Sequence, residues 1–284
     1  MDSRAYVFIF WIRTADDVPS DFRAAIQGHV FDIGVFLPQD DAHWFRRGPA
    51  YPARLLLLHD RQLSIIAHPA SGEAVIDLPL DELAQLETGN ILLLGWIHFS
   101  SAQATYKLLY NTRASDPLDD FVATLRRRWL GRPQRSEEPA GKIFRSELDT
   151  KFRNLLHHSL DRNEVVVLQY FTPPVQYMTR KLIFHRTEFR SGNLLALTSG
   201  NRMLWLRDQH ENRFERYAGI VVSAPVWLLR SCIAQTTPNG CELKVEFKAG
   251  PPWQIPIYDD DFDCRDFAEL VSAHANEYQS APIH

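Results

Sequence analysis

Several features that would have announced an activity are scarce or missing. There are three cysteines in 284 residues, Cys232, Cys241 and Cys264. An odd number without close spacing fits a reducing compartment better than a disulfide framework. Cys232 and Cys241 flank a Pro238-Asn239-Gly240 stretch. With Asn239-Gly240 as a two-residue hairpin turn, Cys232 falls opposite Phe247 and Cys241 opposite Pro238. Their sulfurs are then about 20 Å apart at the ordinary rise of a strand, so no disulfide is expected. The thirteen glycines are scattered, and they form neither a phosphate-cradling loop nor a dinucleotide fingerprint. A Gly-x-Ser-x-Gly nucleophile elbow is also missing. The formal charge of −4 argues against a protein built to bind nucleic acid.

Long hydrophobic runs are lacking too. The apolar stretch at residues 5–12 is too short to cross a bilayer. It lies between Asp2, Arg4 and Arg13, Asp16, Asp17 without a small-residue cleavage site, so it reads as a buried strand rather than a secretion signal. With no other targeting segment, the expected location is the cytoplasm.

Metal chemistry finds no footing. His157 and His158 are adjacent, so on a helix they diverge by about 100° and cannot grip one ion as an i, i+4 pair would. The acidic run Asp259, Asp261, Asp263 fills the first alternate positions of a calcium loop. Cys264 then stands where glycine belongs and Leu270 where glutamate belongs. A solvated turn leading into a helix suits these acids better. No metal, cofactor or catalytic constellation is expected, and the chain reads as a non-enzyme.

What the sequence does contain is a pattern that occurs twice. Asp116 as N-cap, Pro117 in the first turn, an apolar stripe of Leu118, Phe121, Val122, Leu125 and Trp129, a run Arg126–Arg128 and then Gly131 specify a helix. The basic run belongs at the negative end of the helix dipole. Near the other end, Asp263 precedes a second stripe of Phe267, Leu270, Val271, His274 and Tyr278. Upstream of each helix comes a strand-turn-strand, at residues 54–66 and 193–206. Upstream of that, Phe22-Arg23 and Phe152-Arg153 each precede an apolar strand ending in proline, at Leu37-Pro38 and Thr172-Pro173. The spacing between the matches grows from 130 residues at Phe22 and Phe152 to 146 at Phe121 and Phe267, as loop insertions between two copies would make it do. Residues 91–99, 105–110, 165–171, 181–189 and 241–247 read as further strands. The expected fold is therefore mainly β (α+β): two tandem copies of a small bent antiparallel sheet or open barrel, each closed by a C-terminal helix. The domains are 1–130 and 143–284, with the Pro- and Gly-punctuated segment 131–142 as linker.

Residues 55–66, a leucine strand, a polar Asp60-Arg61 turn and a second apolar strand, resemble a signature of bacterial pleckstrin-homology-like and GRAM-like domains. The closing helix is also as that superfamily has it. The second copy departs at the turn, where Ser199-Gly200-Asn201 stands. The resemblance implies PH-like folds whose first hairpin loop binds anionic head groups.

The duplication itself picks out a candidate site. His43-Trp44-Phe45-Arg46-Arg47 follows the first strand of copy one, and Tyr177-Met178-Thr179-Arg180-Lys181, running on to His185 and Arg186, follows that of copy two. An aromatic with a basic pair can hold a phosphate or carboxylate, the arginine fork against an apolar wall. Trp44, Arg46, Arg47, Tyr177, Arg180, Lys181, His185 and Arg186 are thus the candidate ligand-binding residues. The ordinary alternative is a hairpin edge whose charges discourage pairing. Three functions stand open: a non-catalytic interaction or scaffold protein with a protein partner; binding of anionic lipid head groups or phosphorylated ligands; or a hydrolase that brings His157, His158 or His185 to an acid. A homo-oligomer is also left open.

Overall fold

The computed structural model describes residues 7–39, 51–91, 93–131, 142–144, 148–181, 184–208, 219–237, 240–257 and 264–280. For 142–144, 176–181, 184–189 and 277–280 the description is of the backbone alone. The chain is mainly β and divides into two compact units.

The first unit comprises Met1–Leu83, Leu92–Ile97 and Lys107–Arg132. Its five-stranded sheet is an antiparallel meander of β1 (Phe10–Ile12), β2 (Ile33–Leu37), β3 (Arg54–His59), β4 (Gln62–Ala67) and β5 (Ile76–Pro79). β3 and β4 are apolar runs rather than alternations, which is what a sheet covered on both faces requires. On one face Phe22 and Ile26, from the turn-rich segment before β2, pack with Phe36, Leu55, Leu57 and Ile66. The Phe22 ring meets Phe36 edge-on at 5.9 Å. Leu56, Leu58, Leu63 and Ile65, on the alternate positions, are buried as well. Helix α1 (Asp116–Leu130) packs against β1 and β2. It buries Leu118, Phe121, Val122, Leu125 and Trp129, and the Trp129 indole N–H donates to the Leu83 carbonyl at 2.8 Å.

The second unit takes Pro133–His284 together with Ala84–Ile91 and His98–Tyr106. These last two segments belong to β6 (Leu83–Ile91), β7 (Leu94–Ser101) and β8 (Thr105–Asn111). The remaining elements are β9 (Lys142–Phe144), α2 (Thr150–Ser159), β10 (Val166–Thr172), β11 (Val175–Lys181), β12 (Phe184–Arg190), β13 (Asn193–Thr198), β14 (Arg202–Asp208), β15 (Gly219–Pro225), β16 (Leu229–Thr237), β17 (Gly240–Phe247), β18 (Trp253–Ile257) and α3 (Cys264–Ser280). The long sheet has the order β8-β7-β6-β15-β14-β13-β10-β9, while β11-β12 and β16-β17-β18 form sheets of their own. β9 runs parallel to β10. Asp149 caps α2, accepting from the Phe152 N–H at 2.8 Å. Phe152 and Leu156 then cover Phe171, Leu194, Ala196, Leu204, Leu206 and Val221. On the other face Tyr170 meets Phe267 of α3 with ring centroids 5.5 Å apart, and Trp205 meets Trp253 of β18 at 5.8 Å. Burial from both sides explains why every residue of β13 and β15 is inaccessible.

Several expectations from the sequence need correction. The strand expected over 91–99 is a hairpin: β6 ends at Ile91 and β7 starts at Leu94. The strand expected over 181–189 is likewise the end of β11 and most of β12. Both segments are apolar or mixed throughout, and such a run hides the reversal of direction. At the N-terminus the strand covers residues 10–12, and Val7 and Phe8 are exposed. α1 begins one residue early, with Ser115 rather than Asp116 as N-cap, because the left-handed Ala114 (φ 55°) sets the boundary. The ladder pairs Thr237 with Gly240, so Cys232 lies opposite Val245 and Cys241 opposite Thr236, not opposite Phe247 and Pro238. All three cysteines are free. Lys142, placed in the linker, belongs to β9. In α3 the inward face is Cys264, Phe267, Ala268, Val271 and Ala275, with Leu270 and His274 at its margin. Asp259–Asp263 lie outside the described residues. Among the described residues no helix is long and apolar enough to cross a membrane.

Candidate functional site

The proline pair between β10 and β11 explains how the candidate loop of the second half leaves the sheet. Pro173 and Pro174 offer no N–H to a ladder, so pairing with β13 stops at Thr172↔Asn193. The chain then runs out along β11 and back along β12. Antiparallel pairing sets Arg180 opposite His185, Thr179 opposite Arg186, Lys181 opposite Phe184 and Tyr177 opposite Glu188. Register therefore gathers five of the eight candidate residues on one two-stranded ribbon, Arg180, Lys181, His185 and Arg186 in its outer half and Tyr177 nearer the root. Trp44, Arg46 and Arg47 lie outside the described residues.

The root of this ribbon is firmly built. A Cβ on Gly192 would come within 2.8 Å of both the Phe152 ring and Pro174, so only glycine lets β12 turn into β13 at that point. The Gly192 carbonyl accepts from the Asp208 N–H at 3.1 Å. Asp208, almost wholly buried, pairs with Lys151 of α2. Asn193 links its amide to the Ser191 carbonyl at 3.2 Å and accepts the Trp205 indole N–H at 3.0 Å. The β11–β12 ribbon, a two-stranded sheet of its own, thus leaves the long sheet at a base held by Gly192, Asn193 and Asp208.

Beside the same Trp205 is a polar cluster that no local sequence signal revealed. The Arg207 guanidinium lies over the Trp205 ring, 4.7 Å from its centroid, and reaches Glu87 of β6 at 3.3 Å. His98 of β7 approaches the other Glu87 oxygen at 3.3 Å. Glu87 and His98 lie on the neighbouring strands β6 and β7, and Arg207 joins them from far along the chain.

A second buried arrangement ties α2 to the sheet. Arg202 and Glu164 are both at most 2 % exposed and form a bidentate pair. Arg202 Nη2 also donates to the Ser159 carbonyl at 2.6 Å, and Glu164 accepts from the Asp161 N–H at 2.9 Å and from the Thr198 hydroxyl. Arg202 Nε and Nη2 and both Glu164 oxygens are bonded to each other, to backbone or to a neighbouring side chain, while Arg202 Nη1 is buried without a partner among the described residues; the pair works as a clasp.

The Asp60-Arg61 turn serves a comparable end in the first unit. Asp32 accepts from the Asp60 N–H at 3.1 Å, from Arg128 at 2.6 Å and from His59 at 3.2 Å. These bonds hold its carboxyl at about 2, well below the usual range, the Asp60 amide contributing most. Arg61 donates to the Arg128 carbonyl at 2.7 Å and so caps the end of α1. Arg128 thus does more than answer the helix dipole: it fastens the helix to the β3–β4 turn.

The histidines singled out for hydrolysis are differently placed. His157 and His158 are exposed on α2 with their rings stacked at 5.8 Å, and among the described residues neither is given an acid partner. His68 does have one, Asp21 at 2.8 Å, but its Nδ1 accepts the Ala70 N–H at 3.1 Å. Both ring nitrogens are therefore committed to holding a turn. Burial, reinforced by Cys241, pushes the Cys232 thiol up to about 12, far from the thiolate a nucleophile needs. Among the described residues no group of three or more metal-ligating side chains occurs. Comparison with known families and with curated proteins gives no match, so the site has to be read from its own geometry.

Proposed function

We propose that this chain is a non-catalytic interaction protein built from two duplicated pleckstrin-homology-like domains, with the β11–β12 ribbon as a recognition element. The observation that carries the reading is a spacing. β6 and β16 begin 146 residues apart, at Leu83 and Leu229, and β7 and β17 do so at Leu94 and Gly240. Pro79 and Pro225, which end β5 and β15, keep the same interval. The inward stripes of the two helices keep it at all five positions: Leu118 and Cys264, Phe121 and Phe267, Val122 and Ala268, Leu125 and Val271, Trp129 and Ala275. Unrelated segments do not hold one interval through two strands and a helix face. Upstream, Phe22 with Ile26 and Phe152 with Leu156 lie under their sheets at the same i, i+4 spacing. The turns after β3 and β13 both place a non-glycine residue at positive φ, Asp60 and Asn201. Counting β2–β5, β6–β8 and α1 in one half, and β10, β13–β15, β16–β18 and α3 in the other, each half has four strands, three strands and a helix, the PH-like order, with β1, β9 and the β11–β12 ribbon in addition.

The absence of a catalytic reading rests on the occupied nitrogens of His68 and the exposed His157 and His158 described above. The test uses the full chain and a variant with Arg180→Glu, Lys181→Glu and Arg186→Glu as baits in an extract of the source cells. A stoichiometric partner held by the wild type and released by the variant, with an unchanged circular dichroism spectrum, is the expected result. Retention of the same set by both baits would overturn the reading.

A second reading, binding of anionic head groups or phosphorylated ligands, draws on the cross-strand pairing of Arg180 with His185 and on Arg186 one step away. Flotation with phosphatidylserine vesicles tests it. Binding at low salt that is lost at high salt supports it, and no flotation at low salt removes it.

A further inference from the structure

From the pairing of β6 with β15, we infer that this chain assembles head to tail, the free edge of β16 in one copy adding to the free edge at residues 73–77 of the next. The inference rests on the duplication proposed above. Within the second unit, β6 adds to β15 in a defined antiparallel register: Leu86↔Ser223, Glu87↔Val222, Thr88↔Val221, Gly89↔Ile220 and Asn90↔Gly219. Under the 146-residue equivalence, β6 corresponds to β16, and β15 to residues 73–79, of which Ile76–Pro79 form β5 and residues 73–75 lead into it. The chain therefore satisfies this contact once, and leaves one copy of each edge over. Among the described strands β16 pairs with β17 alone, and β5 with β4 alone.

Transferring the register opposes Ile76 to Ile233, Val75 to Ala234, Ala74 to Gln235 and Glu73 to Thr236. Both leftover edges carry an exposed large apolar residue, Val75 at 41 % and Ile233 at 48 %. Residues 233–237, Ile-Ala-Gln-Thr-Thr, hold no charge and no proline, the devices by which solitary edges resist pairing. Helix α3 limits the opening at one end, where the Ser272 hydroxyl lies 3.5 Å from the Cys232 carbonyl; residues 233–237 lie beyond it. Residues 71–75 are exposed throughout. Donor and acceptor are different surfaces, so the contact is heterologous and continues from copy to copy. Its occupant is a second copy of this chain, because the fitting register already exists inside one copy.

Light scattering and sedimentation of the full chain over a concentration series test the inference. The wild type gains mass beyond two copies as concentration rises. Val75→Asp and Ile233→Asp, both at exposed positions, each raise the apparent dissociation constant at least roughly tenfold. Mixed in equal amounts, the two variants form a one-to-one dimer and nothing larger, since each supplies the edge the other has lost. A wild type that stays monomeric to about 1 mM, a mass that stops at two copies, or a mixture that stays monomeric would each overturn the inference. Amide hydrogen exchange at residues 86–90 and 219–223 separates the two levels. Protection there alongside a monomeric chain removes the assembly and leaves the tandem reading standing, whereas free exchange removes the tandem reading itself.

Discussion

Asp32 gathers the β3–β4 turn and the last turn of α1 through three accepted hydrogen bonds. Its folded carboxyl is depressed to about 2, against about 3.9 in an unfolded chain. The stabilisation is therefore complete above about pH 4 and disappears as pH falls through 2. The side chain is nearly half exposed, so solvent screening keeps the effect to about 1 kcal/mol or less. Asp32→Asn should lower the urea midpoint at pH 7, and the gap to the wild type should close toward pH 2. Glu164 and Arg202 are a different case, since both are buried. Glu164→Gln leaves a guanidinium without its counter-charge and should cost about 3–5 kcal/mol in denaturant unfolding. Replacing both residues by apolar ones of like volume should cost less than that single change. Gly200→Ala tests the same clasp from outside, because its new Cβ would lie 2.6 Å from Glu164 Oε1.

At the scale of elements, α1 and α3 each hold one wholly buried phenylalanine at the centre of the inward stripe, Phe121 and Phe267. Phe121→Ala and Phe267→Ala should each lower stability by about 3–5 kcal/mol, read from guanidinium midpoints. Trp129→Phe keeps most of the apolar contact and removes the bond to the Leu83 carbonyl, and should cost only about 1 kcal/mol. These stripes were legible in the sequence because a helix repeats every 3.6 residues and its polar face interrupts the apolar one. The strands β10, β8 and β17 were legible for the same kind of reason. The β6–β7 and β11–β12 reversals were not: residues 91–97 carry only Gly95 as a break, and 181–189 no glycine or proline at all. Leu94 and Phe184 start new strands in runs that continue the composition of the old ones. The register of β16 on β17 was missed for a related reason, since Asn239-Gly240 is the commoner turn dipeptide while the ladder closes at Thr237↔Gly240.

Across the whole molecule, β15 is buried at every position and has β6 as its outer neighbour. Residues 133–284 expressed alone would present that edge unpaired. Such a fragment should be poorly soluble, or should melt well below the full chain by circular dichroism. Adding residues 84–106 to the fragment should recover part of the loss, because β6 supplies the missing ladder bonds. Sequence by itself determined the mainly β class and the two amphipathic helices with their buried phenylalanines, since each depends on chemistry within a few positions of chain. Only the tertiary structure decided that Glu87, His98 and Arg207 meet, that Arg202 finds Glu164, and that residues 84–91 and 98–106 belong with the second unit. Those pairings depend on which strand edges lie side by side, and hydrogen bonds between backbones carry no mark of the side chains that brought them together.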